Sequence, residues 1–117
     1  MTLSLSELSR QFRWNEAEIH YLEMIGNTVQ MDIYFVTFRQ PKNIPFSKKF
    51  VDLRIRLVFK DVTLFTDDYY SPLEKILSRF KNNYICSYAE INEKGEFVID
   101  DCLRIRCGDV EVQELQR

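Results

Sequence analysis

Glycine and proline are scarce in this chain, with three of each among 117 residues. Histidine and tryptophan occur once each. So few glycines leave few of the close backbone approaches that cradle cofactor phosphates. No phosphate loop, nucleophile elbow or metal-ligand spacing is present. Cysteine is also sparse. Cys86, Cys102 and Cys107 are odd in number and none are paired as C-x-x-C, so all three are expected as reduced thiols buried in strands. A basic excess is missing too: 16 Lys and Arg face 18 Asp and Glu, for a net charge of −2. A protein that grips duplex nucleic acid through many phosphates carries such an excess. No apolar run approaches the ~20 residues of a membrane span. The opening "MTLSLSELSRQF" lacks the basic and apolar regions of a secretory signal. The expectation is a cytoplasmic protein without membrane contact, cofactor, metal or catalytic residues. The single histidine, His20, would share a strand side with Glu18. Such a pair could do acid–base work, but a lone histidine among polar neighbours reads as a surface residue.

What is present is core material. Hydrophobic residues make up 45% and aromatics 14%, and the charged 29% is spread rather than blocked. A chain of this length can bury roughly 65% of its unfolded surface, so residues 1–117 read as one domain. Ser4 and Glu7 fit a capping box, and Leu5, Leu8 and Phe12 supply one apolar stripe of a short helix. The period then changes to two. Ile19, Tyr21, Val29, Met31, Ile33 and Phe35 alternate with polar residues about Gly26-Asn27, which predicts a hairpin over Ile19–Phe38. Pro41 and Pro45 mark a loop. In "VDLRIRLVF", Val51, Leu53, Ile55 and Leu57 face one way and Asp52, Arg54 and Arg56 the other. Lys60-Asp61 turns into "VTLF". Ser71 as N-cap, Pro72 at the first position and Glu74 predict the main helix over about 72–81, with Leu73, Ile76, Leu77 and Phe80 buried. Two hairpins follow: Ile85–Ile91 into Phe97–Asp100, and Leu103–Cys107 through Gly108-Asp109 into Val110–Leu115. The predicted fold is α+β, a mainly antiparallel curved sheet or partly open barrel of about seven or eight strands, covered by the main helix.

Two surfaces are candidates for function. The stretch "FTDDYYSPLEK" sets Asp67 and Asp68 beside Tyr69 and Tyr70, just before the helix. Tyrosine brings contact area at low entropy cost and acids steer a basic partner, so these four residues are the predicted protein-binding site. One tyrosine is expected to pack under the helix, leaving the acids and the other tyrosine exposed. The second candidate is the repeated "LRIR". If its two strands are neighbours, Arg54, Arg56, Arg104 and Arg106 share one face, and Tyr34 and Phe38 could stack single-stranded bases. Asp32, Asp52, Glu90 and Glu111 share that outward parity, and cross-strand Arg–acid pairs are the simpler content of such a face. Nucleic-acid binding is therefore the alternative to protein binding. An exposed edge strand would also allow a homodimer that continues the sheet.

At "FRWNEAEI", Phe12 to Ile19, the chain resembles a group of small bacterial β-rich proteins. In these a tryptophan, a His or Asn, an acid and a small residue precede a first hairpin. Trp14, Asn15, Glu16, Ala17 and Ile19 carry the match, followed by "LVFKDVTLF" from Leu57 to Phe65. Some members resemble immunity proteins that neutralise bacterial growth-inhibition toxins. The resemblance implies a stoichiometric inhibitor whose partner is a toxin domain, with basic toxins favoured by the acidic balance. It assigns no site residues, because such proteins bind through surfaces particular to each toxin.

Overall fold

The computed structural model describes residues 1–35 and 53–115. The predicted Pro41/Pro45 loop, Phe38, Val51 and Asp52 lie outside them. Within the described residues the element order is β1 (Thr2–Leu3), α1 (Leu5–Gln11), β2 (Glu18–Ile25), β3 (Thr28–Phe35), β4 (Leu53–Phe59), β5 (Leu64–Thr66), α2 (Leu73–Phe80), β6 (Tyr84–Ile85), β7 (Ala89–Ile91), β8 (Phe97–Ile99), β9 (Leu103–Arg106) and β10 (Val110–Glu114).

The strands form two antiparallel sheets, one of six in the order β1-β10-β4-β3-β2-β6 and one of four in the order β5-β9-β8-β7. The expected α+β fold with antiparallel strands is present, but among the described residues ten strands divide into two sheets instead of seven or eight forming one curved sheet or partly open barrel, and no closed barrel forms. The cause lies at two corners. Lys60-Asp61 and Gly108-Asp109 had the look of hairpin turns, yet each leads the chain from one sheet into the other. The corners brace each other. The Lys60 N–H donates to the Asp109 carbonyl at 3.0 Å, and the Gly108 N–H to the Lys60 carbonyl at 2.9 Å. Asp61 takes a positive φ of 54° to make its bend. At Gly108 a side chain would start 3.4 Å from the Lys60 carbonyl, so glycine suits this approach. Ile85–Ile91 is likewise divided: β6 pairs with β2, and β7 pairs with β8 in the other sheet.

One core joins the sheets. The inward residues of β3 (Val29, Met31, Ile33, Phe35) and of β4 (Leu53, Ile55, Leu57, Phe59) are all buried, as their alternation predicts. Trp14 stands between the layers, edge-on to Phe35 of one sheet and Phe97 of the other, each at 5.1 Å. Aromatic pairs of this kind contribute about 0.5–1.5 kcal/mol beyond their area. Its indole N–H donates to the Leu8 carbonyl at 3.4 Å, so the helix-to-strand corner is anchored on α1. The α1 capping box forms as predicted: the Glu7 N–H donates to Ser4 Oγ and the Ser4 N–H to the Glu7 carboxylate, each at 3.1 Å. All three cysteines are free thiols, with Cys86 and Cys102 buried and Cys107 half-buried, but each lies just outside a strand and not within one as expected.

Strand β2 departs from simple alternation. Its register against β3 shifts between Ile19 and Tyr21, so His20 is the extra residue of a β-bulge. Ile19 and Leu22 therefore point inward, and Tyr21 is turned out with 38% exposure, against the predicted inward position.

Candidate functional site

The strand β5 and the helix α2 are joined by Asp67–Pro72, which contains all four predicted partner-binding residues. The structure gives them three different roles. Asp67 is only 3% exposed. Its Oδ1 accepts the Ser71 N–H at 2.8 Å and the Tyr69 N–H at 3.1 Å. Its backbone carbonyl accepts the Tyr70 N–H at 3.2 Å and the Thr66 hydroxyl at 3.3 Å. A hydrogen bond from the Ser71 side chain, followed by these N–H donors, holds the Asp67 carboxyl below its ordinary range. Asp67 was expected on the surface. It is buried instead, because the backbone turning into the helix presents N–H groups that need an internal acceptor.

The same carboxylate displaces the predicted helix cap. With its N–H donated to Asp67, Ser71 does not cap α2. Pro72 takes the N-cap position, and no side chain caps the helix. Leu73 is 40% exposed rather than buried, and Ile76 and Phe80 carry the inward stripe.

Asp68 faces the four-stranded sheet. Its Oδ1 accepts from Arg104 Nη2 at 3.0 Å and Nε at 3.3 Å. Arg104 also reaches Glu96 at 3.5 Å, and Arg106 reaches the other Glu96 oxygen at 3.4 Å. Glu96 is 5% exposed. A hydrogen bond from the Asn92 side chain at 2.7 Å, then Arg106 and Arg104, pulls its carboxyl below the usual value. The loop is thus tied to β9 through a charge network.

Tyr69 and Tyr70 remain. They are 80% and 81% exposed, so the expectation that one packs beneath α2 is corrected. Tyr70 has a φ of 51°, a left-handed conformation that costs a non-glycine residue roughly 1–2 kcal/mol. The Asp67 hydrogen bonds hold the backbone in that bend, and both rings project away from the chain.

The four arginines do not share a face. Arg54 and Arg56 lie on β4 of the six-stranded sheet, and Arg104 and Arg106 on β9 of the four-stranded sheet. The two "LRIR" strands are therefore not neighbours, and the single cationic surface is corrected to two separate ones. Arg56 makes a two-point pair with Asp32, at 2.8 and 3.1 Å. Lys60 pairs with Glu111 at 3.0 Å. Cross-strand charge pairing thus dominates the outward side of the six-stranded sheet, as its acid content predicts.

His20 was not singled out by pattern as a bulge. The signal was there: Ile19 and Leu22 are apolar but three apart, which a regular strand cannot place on one face. The bulge brings the imidazole parallel to the Tyr34 ring at 5.8 Å, with its Nε2 3.7 Å from Glu18.

The molecule is therefore a two-sheet α+β protein with an aromatic loop held out from its surface. No family model, curated protein or solved structure matches the chain.

Proposed function

We propose that this protein is a non-enzymatic protein-binding module that docks through Tyr69 and Tyr70. The observation that carries the reading is the pairing of exposure with rigidity. Two adjacent tyrosines leave about four-fifths of their surface in water, while an internal carboxylate and an ion-pair network fix the loop beneath them. A pre-set loop loses little freedom on binding, and tyrosine is enriched among the residues that dominate interface energy. Backbone strain at Tyr70 fits the same reading, since strained conformations gather at binding sites. The more particular proposal is an inhibitor that neutralises a bacterial toxin by stoichiometric association, which the resemblance at "FRWNEAEI" supports. Asp67 and Asp68 then act as the loop's framework rather than as steering charges. The nucleic-acid alternative has lost the shared arginine face on which it rested.

The test is capture from lysate of the source organism with tagged wild-type protein and with the Tyr69→Ala/Tyr70→Ala double variant. One stoichiometric protein should be retained by the wild type and lost by the variant. Recovery of the C-terminal part of a large secreted protein would support the inhibitor reading. Equal retention by both baits would refute the site, and nucleic acid released by high salt would refute the class.

A further inference from the structure

Of the four "LRIR" arginines, three are held by carboxylates: Arg56 by Asp32, Arg104 by Asp68 and Glu96, and Arg106 by Glu96. Arg54 differs. Among the described residues no carboxylate lies within ion-pair distance of it. Its guanidinium sits over the Tyr34 ring, 5.8 Å from the centroid. Tyr34 and Arg54 are direct partners in the β3–β4 register, and the bulged His20 reaches Tyr34 from β2. Three flat groups from three adjacent strands thus gather on the outward side of the six-stranded sheet.

This gathering borders a half-open depression of about 140 Å³, lined by His20, Asp32, Ile33, Tyr34, Arg54 and Leu115. Leu115 is fixed there by its backbone, whose N–H donates to the Arg54 carbonyl at 2.8 Å. The charges sort themselves. Both Asp32 oxygens are engaged by Arg56, and Glu18 faces His20. Among the described residues that leaves the Arg54 guanidinium as the cation without a carboxylate partner at the rim, beside an apolar wall from Leu115. A guanidinium stacked on an aromatic ring keeps its N–H edge free to fork onto an oxyanion. A concave, mainly apolar site with one such group favours a ligand that has both a charge and an apolar body.

We propose that this depression binds a small organic carboxylate. The ligand's oxygens meet the Arg54 guanidinium, and its apolar body lies between the Tyr34–His20 stack and Leu115. The site is separate from the tyrosine loop and does not depend on it.

The experiment is an amide chemical-shift titration with benzoate, with inorganic phosphate and with chloride, on the full chain. Benzoate should give saturable shifts confined to residues around His20, Tyr34, Arg54 and Leu115. Arg54→Gln should weaken that binding by about tenfold or more, since a charged hydrogen bond is lost. Arg54→Lys should weaken it less, because it keeps charge without the fork. Arg106→Gln should leave it unchanged. The free-state spectrum of each variant reports its folding, and Arg54 holds Leu115 through backbone atoms that the substitutions keep. Phosphate binding as tightly as benzoate would overturn the ligand class. Shifts matched by chloride, or persisting in folded Arg54→Gln, would overturn the site.

Discussion

Asp67 and Asp68 are adjacent acids with opposite fates, and neither composition nor local spacing distinguishes them. Asp68 lies on the side of the chain that meets Arg104, 36 positions away. Asp67 is turned inward to the N–H groups of Tyr69 and Ser71. That "DDYYS" forms a surface loop leading into a helix was legible. The division of labour was not, because it depends on where β9 comes to lie. The geometry makes a residue-level prediction. Asp67→Asn keeps an oxygen at the Oδ1 position and should keep the loop. Asp67→Ala removes the acceptor from both N–H groups, so hydrogen exchange at the Tyr69 and Ser71 amides should accelerate, with distant amides in β3 and β4 unaffected. Unchanged exchange at those two positions would show that the loop is held by other means.

Elements whose cause is local were legible: α1 from Ser4 and Glu7, and the β2–β3 hairpin from alternation about Gly26-Asn27. The start of α2 was misread by one position because Ser71 answers to Asp67 rather than to the helix. The "LRIR" strands were legible as strands but not as members of different sheets, since alternation fixes a strand's faces and says nothing of its neighbours. The bulge at His20 yields the element-level prediction. Removing His20 leaves Ile19, Tyr21 and Leu22 alternating in, out and in, as the core requires. Deletion of His20 should therefore preserve the fold with a small change in melting temperature. Deletion of Glu23 should instead rotate either Leu22 or Met24 against the hairpin register and lower stability far more. Thermal melts of the two deletions decide it, and equal losses would mean that the bulge is required by the sheet.

At the scale of the whole molecule, each sheet carries its own charge pairs and ties its loops with them, so stability should respond to pH on both sides. On the acid side Glu96, Glu111 and Asp67 all have folded carboxyls below their ordinary values of 4.5, 4.5 and 3.8. The first causes are Asn92, Lys60 and Ser71 respectively. A group depressed in the fold contributes stability above its unfolded value and loses it as pH falls through the folded one. The acid limb should therefore begin below pH 4.5. On the alkaline side burial raises Cys107 from 9.0 to about 11 and also raises Cys86 and Tyr84, while a hydrogen bond to Asp101 lifts Tyr88 from 10.0 to about 12. Groups raised in the fold stabilise it fully below their unfolded values and cease to do so as pH rises, so the alkaline limb should begin near pH 9.0. Arg56 and Arg104, whose guanidinium groups are raised by hydrogen bonds to Asp32 and Asp68, act only beyond that range. Denaturant melts between about pH 3 and pH 10 should show both limbs. Glu96→Gln should make the acid limb shallower from pH 4.5 downward, and Asp67→Asn only from 3.8 downward. An acid limb that both variants leave unaltered would place the controlling carboxylates elsewhere in the chain, and would detach the pH response from the network that fixes the tyrosine loop.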